Sequence, residues 1–310
     1  MKHVNCNYCG WDDARPVNSG PDLLLDLPGD FKLVRCNNCG LIYQNPQLEP
    51  HELAPHYPDD YLPFQEMERP DEQSRVEQIS QNHNVQRQIN KVLKYHSTPG
   101  KLLDIGCATG TFLGHMQPHG FECVGIEPGA NAAEYGRKAY GLEIITGTLE
   151  DSNFPANHFD MITLWDVLEH VEDPRKTLQE VARILKPNGT LILSLPNPTA
   201  IDAAIFGPYW VGWERPRHLT LYSPQLLQAL LEETGFSLTA KESFAGRWAL
   251  TLLSVEFWLK SRGMSAERYA RWYKLLYSIP MRLLTMPYYM LIEKLNRTTT
   301  ITYFARRSAS

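Results

Sequence analysis

Short apolar runs alternate with helical stretches from residue 101 to residue 195, and this alternation constrains the fold more than any other feature of the chain. The apolar runs occupy 101–105, 122–127, 143–146, 159–165 and 190–195, and helical patterns fill 111–118, 131–140 and 174–185. Strands that alternate with helices in this way pair in parallel and are covered on both faces. A helix follows over 223–234, closed by Gly235, and then strands over 237–243 and 299–306. The expected architecture is an α/β, doubly wound sheet of seven strands, with a helical insertion of residues 247–296 before the last strand.

The first strand runs into Leu103-Asp104-Ile105-Gly106-Cys107-Ala108-Thr109-Gly110-Thr111, and a helix starts directly afterwards. Ligands in such sheets bind at the carboxyl ends of the strands, where glycine lets the backbone approach closely. A dinucleotide fingerprint would need glycine at 106, 108 and 111, but the chain has Gly106, Ala108 and Thr111. Asp104 is more telling. A carboxylate repels a pyrophosphate, whereas S-adenosylmethionine offers a sulfonium and an ammonium against one carboxylate. Glu127, ending the second strand, is placed to accept two ribose hydroxyls. The plainer alternative is that Asp104 caps a turn and the glycines only tighten it.

These residues resemble the class I S-adenosylmethionine-dependent methyltransferase family over about residues 100–245 and the final strand. The first motif of that family is matched by Asp104, Gly106, Cys107, Ala108 and Gly110, with Ala108 where glycine is commoner, and Glu127 matches its ribose acid. The resemblance implies a Rossmann-like methyltransferase sheet with S-adenosylmethionine as cofactor. Thr148 stands where an acid near the adenine is usual, which leaves Leu149 as the candidate there. Residues 159–170, with Trp165, Asp166 and His170, resemble the fourth strand and the loop facing the methyl group. Leu185-Lys186-Pro187-Asn188-Gly189 reads as the turn into the fifth strand.

Ahead of this domain, Cys6-x2-Cys9 and Cys36-x2-Cys39 form two pairs, each followed by glycine. Such spacing lets both thiolates of a pair face one ion, and two pairs complete a tetrahedral, structural zinc site. Free or redox-active thiols are the alternative reading. Cys107 and Cys123 read as small packing residues. The two knuckles are expected to flank a loop containing Pro16, Gly20, Pro21, Pro28 and Gly29. The organisation is thus a zinc-ribbon-like module over 1–45, a connector and helix over 46–98, the methyltransferase domain over 99–246 and 297–310, and the insertion over 247–296.

After the fifth strand comes a loop rich in aromatic and charged residues, Tyr209-Trp210-Val211-Gly212-Trp213-Glu214-Arg215-Pro216-Arg217-His218. Exposed aromatics beside charges suit a partly polar ring such as a sugar; filling core space is the alternative. The cysteine module, a connector rich in tyrosine and proline, and this loop together resemble the sugar C-methyltransferases. In that group a Glu-His pair is linked to deprotonation of the sugar. His218 matches its histidine, Arg217 stands in place of the acid, and Tyr57 or Tyr61 matches a connector tyrosine. The catalytic candidates are accordingly His218, then His170 and Tyr61, and a histidine base suits an acceptor that must lose a proton. The acceptor expected is a small polar molecule, with nucleotide- or lipid-linked sugars as candidate classes.

The net charge of −5 weighs against nucleic acid as partner, since neutralising phosphates calls for a basic stripe. It therefore also weighs against a ribosomal RNA methyltransferase with a zinc module. A non-catalytic binding protein on the same fold is the other rival, and intact Asp104, Gly106, Gly110 and Glu127 speak against it. The first residues show no apolar run behind a charge and no stretch reaches a membrane span, which points to the cytoplasm. The insertion, read as an amphipathic helical pair rich in Trp, Tyr, Leu and Met, could serve as lid, dimer surface, peripheral membrane contact or plain packing.

Overall fold

The computed structural model describes residues 1–58, 75–243 and 247–308, so Tyr61 lies outside the described residues. In chain order the main elements are β1 (Ala14–Asp22), β2 (Leu27–Cys36), β3 (Ile42–Gln44), α1 (Pro50–Leu53), α2 (Arg75–Tyr95), β4 (Lys101–Ile105) and α3 (Thr111–Met116). They continue with β5 (Glu122–Glu127), α4 (Ala130–Tyr140), β6 (Glu143–Thr146), β7 (Phe159–Trp165), α5 (Pro174–Ile184) and β8 (Leu185–Pro196). After these come α6 (Ile201–Phe206), β9 (Thr220–Leu221), α7 (Pro224–Glu233) and β10 (Phe236–Glu242). The chain ends with α8 (Arg247–Ser261), α9 (Ala266–Leu276), α10 (Ile279–Lys294) and β11 (Thr300–Arg307).

These elements divide into two compact units. The first joins Met1–His56, Leu195–Leu227 and Lys241–Ile301, and the second joins Tyr57–Ser194, Gln228–Ala240 and Thr302–Ser310.

The second unit is built on a seven-stranded sheet of order β10-β11-β8-β7-β4-β5-β6. Its β8-β7-β4-β5-β6 part is parallel throughout. Leu102 and Leu103 of β4, Ile162 and Leu164 of β7 and Leu191–Leu193 of β8 are all fully buried. Continuous rather than alternating burial is what a parallel sheet covered on both faces requires. Residues 186–189 loop out of the ladder, because Leu185 pairs with Phe159 and the next partners are Thr190 and Met161. Asn188 takes a left-handed φ of 62° in that excursion, so the turn expected from Pro-Asn-Gly sits inside β8.

Local sequence explains the helices of this unit. α5 begins at Asp173-Pro174, where the Asp173 carboxylate accepts from Lys176 N (3.0 Å) and the proline occupies the first turn. It buries Pro174, Thr177, Leu178, Val181 and Ile184, one stripe at helical spacing. α4 buries only Ala132, Ala133 and Gly136, which lets it lie close to its neighbours.

The first unit contains a four-stranded sheet of order β1-β2-β3-β9. The segment expected as a loop between the cysteine knuckles is instead the β1–β2 hairpin, with irregular register at Pro16/Asn18 and Gly20/Asp22. Pro16 and Pro21 are tolerated because β1 is an edge strand, where a missing N–H need not cost a ladder bond. A core of Leu33, Ile42, Ala200, Ala203, Trp210, Trp213 and Leu221 packs under this sheet.

The insertion is three helices rather than a pair. Gly263 (φ 80°) follows α8, Ser265 caps α9 by accepting from Arg268 N, and Ser278 with Pro280 starts α10. Asp202, 2% exposed, ties α8 to α10: its carboxylate accepts from Thr251 of α8 (2.6 Å), Tyr288 of α10 (2.7 Å) and Thr299 (3.0 Å). Among the described residues no helix is long and apolar enough to cross a membrane.

Candidate functional site

The second unit gathers its chemistry at the carboxyl ends of β4, β5 and β7. Asp104 lies in β4 opposite Gly125 of β5 and Thr163 of β7, and is 1% exposed. Its Oδ1 accepts from the Thr163 hydroxyl at 2.6 Å. Burial pushes its pKa up to about 8; the Thr163 bond opposes the shift and the charge of Glu127 adds to it.

Glu127 ends β5 and is also buried. Its two oxygens accept from Ala108 N (2.9 Å) and Gly129 N (2.7 Å), so one carboxylate ties together the loops that follow β4 and β5. Burial raises its pKa against the pull of those two N–H groups. Each oxygen has a second lone pair, so an oriented carboxylate of this kind can also accept ribose hydroxyls.

The loop between Asp104 and α3 turns on two glycines at left-handed φ, where any side chain would be strained and crowded. Gly106 has φ 70°, and a Cβ there would stand 2.6 Å from Val167 Cγ2. Gly110, at φ 74°, caps α3, and a Cβ there would meet Leu142 Cδ1 at 2.6 Å. Ala108 (φ 48°) and Asp166 (φ 53°) take left-handed conformations without being glycine. Such a residue costs ~1–2 kcal/mol, and strain of this kind collects at functional sites. Cys107 is the packing residue of the loop: its Sγ fills the space beside Gly125, and burial raises its pKa so that it stays a neutral thiol.

Trp165 is half-buried with its ring edge-on to Phe112 (5.1 Å), and Asp166 is exposed beside it. Leu149 is buried in the turn after β6, where the hydroxyl and N–H of Thr148 both bond Asp151. Four residues after Asp166, His170 lies half-buried with Tyr57 OH 3.0 Å from its Nδ1. Tyr57 is thus the connector tyrosine seen against a catalytic candidate. Sequence spacing gave no signal for this pairing across 113 residues.

His218 belongs to the first unit and is 4% exposed. Its Nδ1 lies 2.9 Å from Gly212 O and its Nε2 3.6 Å from a Glu214 oxygen. Burial is the main cause that lowers its pKa; Arg217 adds, while Glu214 and the Gly212 contact oppose.

The reading of the 209–218 aromatics as an exposed sugar platform is corrected by the structure. Trp210 (1% exposed) and Trp213 (6%) pack edge-on to each other in the core, because the loop folds under the four-stranded sheet. Arg217, which stands in place of the acid, takes a structural position. It is fully buried, with Nη1 and Nη2 on the two oxygens of Asp22 (2.6 and 2.9 Å) and Nε on Glu214 (2.9 Å). His56 completes the cluster, its Nδ1 2.7 Å from Asp22.

The four cysteines converge. Sγ atoms of Cys6 and Cys39 are 3.5 Å apart, those of Cys9 and Cys36 3.6 Å, and all four lie within 4.8 Å of one another. A tetrahedral zinc with bonds of about 2.3 Å needs sulfur separations of about 3.8 Å, so this donor set fits that ion. Gly10 N and Gly40 N close the two knuckles onto Cys6 O (2.8 Å) and Cys36 O (3.0 Å).

A seven-stranded, mostly parallel sheet with paired acids at its carboxyl end and a left-handed glycine loop between them defines the S-adenosylmethionine-binding class of α/β proteins. In agreement, residues 77–241 match a family described as a methyltransferase domain, more than half of the chain. The chain belongs to that family, the class I S-adenosylmethionine-dependent methyltransferases.

It is 36% identical over 109 residues to the mitochondrial ubiquinone biosynthesis O-methyltransferase of Schizosaccharomyces pombe, a match covering 33% of this chain and 39% of that one. Against the ubiquinone biosynthesis O-methyltransferase of Bradyrhizobium diazoefficiens it is 27% identical, over 53% of this chain and 71% of the relative. Among solved structures, a protein assigned as a sarcosine dimethylglycine methyltransferase from Galdieria sulphuraria superposes with TM-score 0.52 at 17% identity. That match covers 75% of this chain and 88% of the other. It is a likeness of fold.

Proposed function

We propose that the protein transfers the methyl group of S-adenosylmethionine to a hydroxyl of a small polar acceptor. One observation carries the reading: Asp104 and Glu127, two buried carboxylates on adjacent parallel strands, flank the glycine loop and share no ion pair with a cation among the described residues. A ligand with a cationic amino-acid end and a ribose supplies what both carboxylates need. S-adenosylmethionine, when bound, supplies an electrophilic methyl for in-line displacement. Asp104 would hold the cationic end, Glu127 the ribose hydroxyls, Gly106–Gly110 the close backbone approach, and Leu149 and Trp165 the apolar walls.

His170 is the base in this reading. With Nδ1 held by Tyr57, the acceptor proton is taken at Nε2 as the oxygen attacks, and Tyr57 orients the ring. His218 stays the alternative base, since a carboxylate (Glu214) lies beside it as the sugar-modifying group requires. The O-methyltransferase names of the relatives favour an oxygen acceptor, and their biosynthetic role suggests a hydroxylated aromatic ring. Nucleotide- or lipid-linked sugars remain the class suggested by the sequence. In the first unit, Cys6, Cys9, Cys36 and Cys39 would hold a structural zinc.

The test is calorimetric titration of S-adenosylmethionine into zinc-loaded protein, followed by release of S-adenosylhomocysteine with catechols, nucleotide sugars and lipid-linked saccharides. Micromolar binding that Asp104→Ala abolishes, with turnover that His170→Gln removes while binding survives, supports the reading. Absence of cofactor binding by folded protein overturns it.

A further inference from the structure

The insertion turns an apolar face outward. Along α10, Ile279, Leu283, Met286 and Met290 recur at spacings of four, three and four residues, which makes one row. Leu284, Leu291 and Leu295 make the adjoining row. Each of these side chains is more than half exposed, Leu283 at 64% and Leu284 at 73%. Exposed Pro280 and Pro287 lie in the same half of the helix. The inward half carries Tyr288 on Asp202 and buried Ile292, so the helix is anchored by its polar contacts and shows its oil to solvent. α9 adds Trp272 (52% exposed) and Leu275 (51%).

The charge around this face is predominantly positive. Residues 256–297 contain eight lysines and arginines against three acidic residues, in a chain whose net charge is −5. Arg268, Arg271, Lys274, Lys294 and Arg297 are exposed. An isologous contact with a second copy would set these cations against themselves. A negatively charged bilayer surface satisfies both features: leucine, methionine and tryptophan enter the acyl boundary while lysine and arginine meet headgroup phosphates.

We infer that α9 and α10 form an interfacial anchor for an anionic lipid bilayer, lying on the membrane rather than crossing it. The inference stands apart from the methyl-transfer reading, because it uses no residue of the cofactor site.

The test is flotation of the full chain with phosphatidylcholine vesicles, with and without phosphatidylglycerol. The expected result is capture by the anionic vesicles only, weakened by added salt. A Leu284→Gln, Leu291→Gln double variant should lower partition at least about tenfold, since each leucine loses its burial in lipid. An Arg271→Glu, Lys274→Glu variant should lose the preference for phosphatidylglycerol. Circular dichroism and cofactor titration serve as folding controls, because all four side chains are exposed. Failure to float with anionic vesicles would overturn the inference, as would partition unaffected by the leucine variant. So would a dimer in analytical ultracentrifugation that the leucine variant dissolves while vesicles go unbound, which would make a second copy the occupant.

Discussion

The two units bury carboxylates in opposite ways. In the first, Asp22 is fully buried and meets a resident cation, the Arg217 fork, with His56 on the same oxygen. Burial alone would raise the Asp22 pKa, but the Arg217 bonds and charge, helped by His56, outweigh it and hold the carboxyl below its usual range. In the second, Asp104 is buried against a hydroxyl and another carboxylate, and its pKa rises to about 8. A buried acid matched by its own chain is part of the scaffold. One that its own chain leaves unmatched is the acid we propose for a ligand's cation.

The contrast can be broken by exchanging the two situations. Arg217→Ala strands Asp22 and should cost ~3–5 kcal/mol of unfolding free energy, measured by urea denaturation. An Asp22→Leu, Arg217→Met double variant should recover most of that loss. Asp104→Asn should leave the unliganded fold intact yet weaken S-adenosylmethionine binding by two to three orders of magnitude, roughly what loss of one buried ionic partner implies. Stability unharmed in the first case, or affinity unharmed in the second, would undo the assignment.

The pH dependences should also run in opposite directions. The folded pKa of Asp104 lies above the usual 3.8, so its contribution to stability is complete below that value and is lost as pH rises through about 8. For Asp22 the folded value is depressed, so its contribution is present above 3.8 and is lost as pH falls below it. Near neutral pH, a cationic ligand that ionises Asp104 must release a proton. Calorimetry in buffers of different ionisation enthalpy should show that release in the wild type and not in Asp104→Asn. The smallest effect expected is Ala108→Gly, which relieves the left-handed strain at φ 48° and should raise stability by at most about 1 kcal/mol in thermal unfolding.

The seven strands were legible because their apolar runs and intervening helices repeat a local pattern, and the left-handed turn after β4 because its acid and glycines are consecutive. The convergence of the four cysteines was readable from two short spacings. What the sequence concealed is long-range. Arg217 finds Asp22 across 195 positions, and nothing beside Arg217 announces that partner. Trp210 and Trp213 misled because aromatics beside charges look alike whether they stack on a ligand or plug a core. Glu214, by contrast, sits four residues before His218, a spacing that one helical turn brings together.

The pairing of β3 with β9 has a consequence for how the chain is made. Ile42 and Tyr43 align with Leu221 and Thr220, so the sheet beside the cysteine knuckles takes its fourth strand from residues synthesised much later. On the ribosome, the amino-terminal ribbon emerges early but waits for nearly two hundred further residues before that edge is closed and Trp210 and Trp213 arrive beneath it. Translation order and assembly order therefore differ in this protein. A metal captured by the early cysteines would join the β1–β2 and β2–β3 pairing in fastening the nascent ribbon during the wait.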